Sequence, residues 1–178
     1  MGSVYQPTED SYMLQRHVAR LVTGRVLDMG TGGGIQAVTA AQKPDVDYVL
    51  AVDINPEAIE AAKRRASETG VLNKVSFTVS DLFEEIDGCF DWIIFNPPYL
   101  PAEGGLGDLT WDGGEGGGEV IERFLREAKG RLTTCGSIIM IYSSETKVIV
   151  GGYGYDWEIL QEMPLFFETL YCALLSPS

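Results

Sequence analysis

The stretch that most constrains this chain is Asp28-Met29-Gly30-Thr31-Gly32-Gly33-Gly34. Residues 25–29 are a short apolar run that reads as a buried strand. The glycines follow at once, and a helical pattern then runs from about 35 to 42 until Lys43-Pro44 stops it. A strand that passes through a tight glycine turn into a helix is the first half of a parallel βαβ unit, because parallel strands need a crossover between them. The second half is present. Residues 48–52 form the next apolar strand, closed by Asp53, and Asn55-Pro56 supplies an N-cap and a first-turn proline. That helix buries Ala58, Ile59, Ala62 and Ala66 and ends at Gly70. Residues 74–79 alternate Val75, Phe77 and Val79 with polar neighbours, as a half-exposed strand does, and lead into Ser80-Asp81-Leu82.

The same alternation continues downstream. Phe90–Phe95 is a buried strand that breaks off in Asn96-Pro97-Pro98-Tyr99. Proline cannot continue a ladder and drives the residue before it into extended backbone, so the strand stops at Asn96. Residues 101–118 are too glycine-rich for regular structure and too long for a mere connection, which is expected of a functional or a disordered loop. Glu119–Ala128 is an amphipathic helix with Ile121, Phe124, Leu125 and Ala128 inward, and 137–142 is a strand of bulky β-formers. A weak helical turn is expected at 146–150, then strands at 157–163 and 168–175 joined closely enough for a hairpin. Upstream, Tyr5-Gln6-Pro7-Thr8-Glu9-Asp10-Ser11 leads into a helix over 12–22, with Leu14, Val18, Leu21 and Val22 on one face and Thr8, Asp10 or Ser11 as its cap. His17, the sole histidine, falls off that stripe and is expected in solvent.

This order predicts one α/β domain over 1–178, with a mostly parallel sheet, helices on both faces and an antiparallel hairpin at the C-terminal end. No apolar run is long enough to span a bilayer and no signal-peptide pattern opens the chain, so a cytoplasmic protein is expected. Cys89, Cys135 and Cys172 are isolated and odd in number, which predicts buried or half-buried thiols, no disulfide and no metal site. Twenty-six acidic residues against 13 basic ones give a formal charge of −13. A surface of that sign argues against holding a phosphate backbone unaided and favours a cationic ligand or a basic protein.

The candidate site follows from where the polar residues fall. In open α/β sheets, ligands bind at the carboxyl ends of the strands. Asp28, Asp53 and Asp81 close three successive strands there, and Asn96 closes a fourth. The turn is not the dinucleotide fingerprint, since Ile35 stands in the last glycine's place, and Asp28 beside it suits a cationic group rather than a pyrophosphate. Asp53 suits the two hydroxyls of a ribose, and Asp81 an amino group of a base. Asn96 with Tyr99 suits a planar NH2 group.

Together these motifs resemble the series found in class I S-adenosylmethionine-dependent methyltransferases that act on planar amino nitrogens. Tyr5-x-Pro7-x-Glu9-Asp10-Ser11 is similar to the N-terminal motif of the HemK-like release-factor glutamine methyltransferases. Trp111-Asp112-Gly113-Gly114 with Gly117, ahead of Val120-Ile121-x-Arg123-Phe124, resembles the segment that follows Asn-Pro-Pro-Tyr in that family. Glu115-Gly116 and Gly118 depart from it. The resemblance implies a Rossmann-like, seven-stranded class I fold and S-adenosyl-L-methionine as cofactor. It also implies roles for single residues. Asp28 and Gly30 would hold the methionine end with Ser11 closing over it, and Gly32 and Asn96 would also bind the cofactor. Asp53 would take the ribose, Asp81 and the Leu82 backbone the adenine, while Asn96 and Pro97 carbonyls would accept the N–H groups of the target and Tyr99 would stack on it.

The short length resembles the archaeal and eukaryotic branch, which implies the glutamine of a Gly-Gly-Gln motif in a class I translation release factor as substrate. It further implies a small zinc-binding activator docked by strand addition on edge strand 74–79. Other targets share the chemistry. Exocyclic amines of adenine or guanine present the same planar NH2, a protein lysine is a third acceptor, and an inactive cofactor-binding scaffold is a fourth reading. The acidic surface and the absence of a target-recognition region favour the protein glutamine.

Overall fold

The computed structural model describes residues 6–98, 118–146 and 150–178. The expectations placed on Tyr5, on Tyr99, on 101–117 with its Trp111-Asp112-Gly113-Gly114 motif, and on residues 147–149 lie outside them. The elements are α1 (Glu9–Leu21), β1 (Gly24–Met29), α2 (Ile35–Ala41), β2 (Val46–Asp53), α3 (Pro56–Glu68), β3 (Val75–Val79), β4 (Phe90–Phe95), α4 (Glu119–Ala128), β5 (Leu132–Ser143), β6 (Tyr155–Pro164) and β7 (Thr169–Pro177).

Seven strands form one sheet in the order β3-β2-β1-β4-β5-β7-β6. β3, β2, β1, β4 and β5 run parallel, whereas β7 is antiparallel to β5 and β6 to β7. The expected α/β class, mostly parallel sheet and terminal hairpin are all present. Helices cover both faces. On one, Met13, Leu14 and Val18 of α1, Ala37, Val38, Ala40 and Ala41 of α2 and Ala66 of α3 pack on Val26, Val49, Ile94 and Ile139. On the other, Ile121, Phe124, Leu125 and Ala128 of α4 pack with Phe83 and Ile86 on Leu27, Ile93, Phe95 and Ile138. Strands buried on both faces read as continuous apolar runs, which is why β1, β2 and β4 stood out in the sequence.

Local chemistry sets the ends of α3. Asn55 accepts from the Glu57 N–H at 2.9 Å with Pro56 in the first turn. At the other end Gly70 takes a left-handed φ of +73° while the Val71 N–H returns to Ala66 O at 3.0 Å, satisfying a terminal carbonyl. α1 begins three residues earlier than its apolar stripe suggested. Thr8 holds the N-cap position but makes no side-chain cap bond, so Asp10 and Ser11 lie inside the first turn.

Two expectations are corrected. His17 is 8 % exposed rather than solvated, because α1 buries a wide arc against the sheet, and its Nε2 lies 3.1 Å from Gln161 Oε1 of β6. Cys172 is buried as expected, but Cys89 and Cys135 are exposed, being near the amino ends of β4 and β5 rather than in the core. No helix among the described residues is long and apolar enough to cross a membrane.

Candidate active site

The register brings the predicted residues to one edge. Met29 is level with Val52 on one side and Phe95 on the other, and Asp53 is level with Val79. Gly30, Asp53 and Asn96 therefore leave adjacent strands at the same height, and Ser80-Asp81 follows one strand further out. The row spans three strand spacings, about 14 Å.

The glycine turn is built by the two acids beside it. Gly30, Gly32 and Gly34 have φ of +64°, +52° and +78°, a region in which a side chain is strained. Gly34 has a second reason, since a Cβ there would come within 2.9 Å of the Ala62 backbone, so this glycine lets α2 pack against α3. Asp28, 1 % exposed, accepts from Thr31 Oγ1 at 2.6 Å and from the Ala37 N–H at 2.9 Å, both on Oδ2. Asp53 accepts from the Gly32 N–H at 2.8 Å and the Asn55 N–H at 2.9 Å. Both carboxylates thus hold the turn in shape before any ligand arrives. Burial pushes Asp28 up to about 7, with the neighbouring Asp53 adding to the shift and the Thr31 and Ala37 bonds opposing it. Burial likewise raises Asp53, against its backbone hydrogen bonds.

After β3 the chain turns sharply. Leu82 is the one non-glycine residue at positive φ, +47°, among the described residues, with its side chain buried. Ser80 Oγ donates to the Leu82 carbonyl at 2.9 Å and accepts from the Glu85 N–H at 3.0 Å, which holds this strained turn. Asp81 pairs through Oδ2 with Arg123 of α4 at 3.1 Å, a half-exposed contact of little weight for stability. Behind these residues runs an aromatic stack. The Phe95 ring, next to Asn96, lies 4.2 Å from Phe124, and Phe124 lies 5.5 Å from Phe83, next to Leu82. Pairs of this kind add about 0.5–1.5 kcal/mol each beyond the area they bury.

Asn96 carries the most informative geometry. Its Nδ2 donates to Asp10 Oδ2 at 3.0 Å and lies 3.5 Å from Ser11 Oγ. Thr8 Oγ1 and the Ser11 N–H donate to the same carboxylate. A carboxylate receiving this many donors is an acceptor, so it fixes which end of the Asn96 amide faces it. Asn96 Oδ1 is consequently turned away, buried and without a hydrogen-bond partner among the described residues. A buried orphan acceptor is costly, and it is best explained by a donor that the site awaits.

Two further residues belong to this arrangement and were not singled out from the sequence. Asp10 was considered only as a cap and as part of the N-terminal motif, yet it orients Asn96 from 86 residues away. Gln36 of α2 is 4 % exposed, donates through Nε2 to Ser11 O at 2.8 Å, and leaves Oε1 as the second buried orphan among the described residues. A lone glutamine amid the apolar and small residues of α2 was the available signal.

The sequence profile of the family described as Methyltransferase small domain matches residues 8–149. The chain belongs to the small-domain methyltransferase family. This methyltransferase is 35 % identical over 177 residues to a provisionally named protein N5-glutamine methyltransferase of Methanocaldococcus jannaschii, covering 94 % of the present chain and 88 % of the relative. It is 30 % identical to the release factor glutamine methyltransferase of Deinococcus radiodurans over 72 % of the chain and 49 % of that longer relative. Among solved structures it is similar to the Mtq2–Trm112 complex of E. cuniculi, responsible for methylation of the eRF1 translation termination factor, with a TM-score of 0.75, 27 % identity and 98 % of each chain covered. The fold is that of class I methyltransferases, which take the methyl group from S-adenosylmethionine. The residues present fit that donor. A row of buried or half-buried acids borders a preformed glycine turn, and an acceptor stands ready beside it at Asn96.

Proposed function

We propose that this methyltransferase modifies the side-chain amide nitrogen of the glutamine in the Gly-Gly-Gln motif of a class I translation release factor. The observation that carries the reading is the orphaned Asn96 Oδ1. An amide nitrogen is a poor nucleophile, since its lone pair is delocalised into the carbonyl. Asn96 Oδ1 accepts one of its N–H bonds and the Pro97 main-chain carbonyl accepts the other, which draws electron density onto nitrogen and sets its direction of attack. Asp10 keeps the Asn96 amide from turning its donor end inward. Holding the reactants in such a geometry supplies about 7–11 kcal/mol of the barrier, and the fixed dipoles add to it. The family resemblance assigns Tyr99, which lies outside the described residues, to the flat face of that amide. No general base is required before transfer, because the proton leaves the product cation afterwards.

S-adenosylmethionine, when bound, supplies an electrophilic methyl on a sulfonium. Asp28, Gly30, Gly32 and Ser11 receive its amino-acid end, and Asp53 receives its ribose hydroxyls. Asp81 receives the adenine amino group, beside the Leu82 N–H. Similarity to glutamine methyltransferases and the acidic surface support a protein amide over a nucleic-acid base.

The reading also includes a small zinc-binding activator on the open edge of β3. Lys74 does not guard that edge, because its Nζ turns inward to the carbonyls of Lys43 and Val46, both at 2.9 Å. Val79 and Leu72 stand 45 % and 48 % exposed beside it. The test is transfer of labelled methyl to a release factor in the presence of the activator. Label that disappears when the Gly-Gly-Gln glutamine is replaced supports the reading, and label confined to RNA overturns it.

A further inference from the structure

The hairpin tip between β6 and β7 exposes two phenylalanines that the site described above does not use. Phe166 and Phe167 are 92 % and 86 % exposed, with their rings in an edge-to-face contact at 4.6 Å. Large aromatics this open are uncommon on a surface without a partner. The tip is also held firmly. The Leu165 N–H donates to Glu168 O at 2.7 Å, and the Ser144 N–H donates to Thr169 O at 2.8 Å. The Thr169 N–H donates to Ser144 Oγ at 3.0 Å, and Ser143 Oγ donates to the Glu168 carboxylate. These bonds fasten the tip to the end of β5, so the aromatic pair is presented already ordered.

Its position follows from the register. Phe95 is level with Met140, while the β5–β7 ladder continues to Ser143 paired with Leu170. That ladder outlasts β4 by three residues, about 10 Å, and the tip stands beyond it. Phe166 and Phe167 therefore rise on the same edge of the sheet as Asn96, two to three strands across and about 10 Å further along the strand direction, a separation of roughly 14–17 Å or more. A glutamine side chain is shorter than this. The backbone that delivers one to Asn96 lies over this edge of the sheet, within reach of the tip for the surface that flanks it.

We infer that the Phe166–Phe167 tip is a docking contact for the protein substrate, seating an apolar spot with a basic rim next to the target glutamine. This rests on the proposed function. The acidic groups decide the rim. Glu168 lies at the tip, and Glu145 and Glu162 lie on the segments to which it is tied, within a chain of charge −13. A second copy of this chain would bring the same carboxylates, and a phosphate backbone would be repelled. An activator added to β3 sits beyond the far edge of the sheet, six to seven strand spacings away or about 29–34 Å, and leaves the tip open.

The test compares wild type with Phe166→Ser/Phe167→Ser, using labelled S-adenosylmethionine, a class I release factor and the activator. Both side chains are in solvent, so the double variant folds, which thermal melting and unchanged cofactor affinity by calorimetry confirm. The expected result is a KM for the release factor raised about ten-fold or more, partly restored by Phe166→Leu/Phe167→Leu, with a salt-sensitive KM in the wild type. An unchanged KM in the double variant, while wild type methylates the release factor, overturns the inference and leaves the proposed function standing. A wild-type dimer or activator complex that the double variant dissolves also overturns it, by assigning the tip to another occupant. A wild-type enzyme that leaves the release factor unlabelled overturns both.

Discussion

Asn96 Nδ2 donates to Asp10 Oδ2 at 3.0 Å across 86 residues of chain, and this bond decides which atom of Asn96 the site presents. With the carboxylate holding the donor end, Oδ1 is left buried as an acceptor with no partner among the described residues. The proposed methyl transfer to an amide uses that atom in that orientation. Asp10→Ala releases the amide, and single-turnover transfer is expected to fall by about 10²-fold, the cost of losing one preorganised polar group. Asp10→Asn can still accept from Nδ2 and is expected to lose less. Calorimetry should show cofactor affinity changed far less than rate in both.

Asp28 makes the protein sensitive to pH in a defined direction. Burial raises it from 3.8 to about 7, so between those values the folded state holds a proton that the unfolded chain has lost. Its contribution to stability is full below the unfolded value and is lost as pH rises through about 7. The melting temperature of Asp28→Asn, which keeps an acceptor for Thr31 and Ala37, should therefore improve relative to wild type as pH rises from about 4 to about 7. A cationic amine beside Asp28 favours its ionised form, so cofactor binding should release a proton and tighten with pH up to about 7. Calorimetry in buffers of different ionisation heat measures both.

The aromatic stack ties the two sides of the site to α4. Phe124 is fully buried between Phe95 and Phe83, and Phe124→Ala is expected to cost about 3–5 kcal/mol. That corresponds to a melting temperature lower by roughly 6–20 °C for a domain of this size. Phe124→Leu should recover most of it.

The β3 edge gives a prediction independent of catalysis. Val79→Asp places a charge on an exposed position of the edge strand, so the chain alone should melt within about 2 °C of wild type. Complex formation with the activator, followed by sedimentation, should be lost.

What the sequence made legible was local. Gly30, Gly32 and Gly34 marked a turn because left-handed backbone favours glycine, and apolar runs marked β1, β2 and β4 because both of their faces are covered. Asp53 and Asn96 were legible because the strand ends could be counted. What was not legible depended on distant partners. The position of Asp10 in the chain does not show that it meets Asn96, nor that of His17 that Gln161 of β6 lies 3.1 Å away. Nor does the position of Lys74 show that its amine caps the carbonyls of Lys43 and Val46 at the start of β2. The strained backbone of Leu82 had no signal at all, since leucine carries no preference for that conformation.

The most direct test of the central claim separates binding from transfer in Asn96→Ala. Cofactor affinity is measured by calorimetry, and transfer to the release-factor glutamine by single-turnover labelling. If Asn96 Oδ1 serves the target nitrogen, affinity stays within about three-fold while the transfer rate falls by about 10³-fold or more. A transfer rate close to wild type, or a rate loss that saturating cofactor restores, would contradict it.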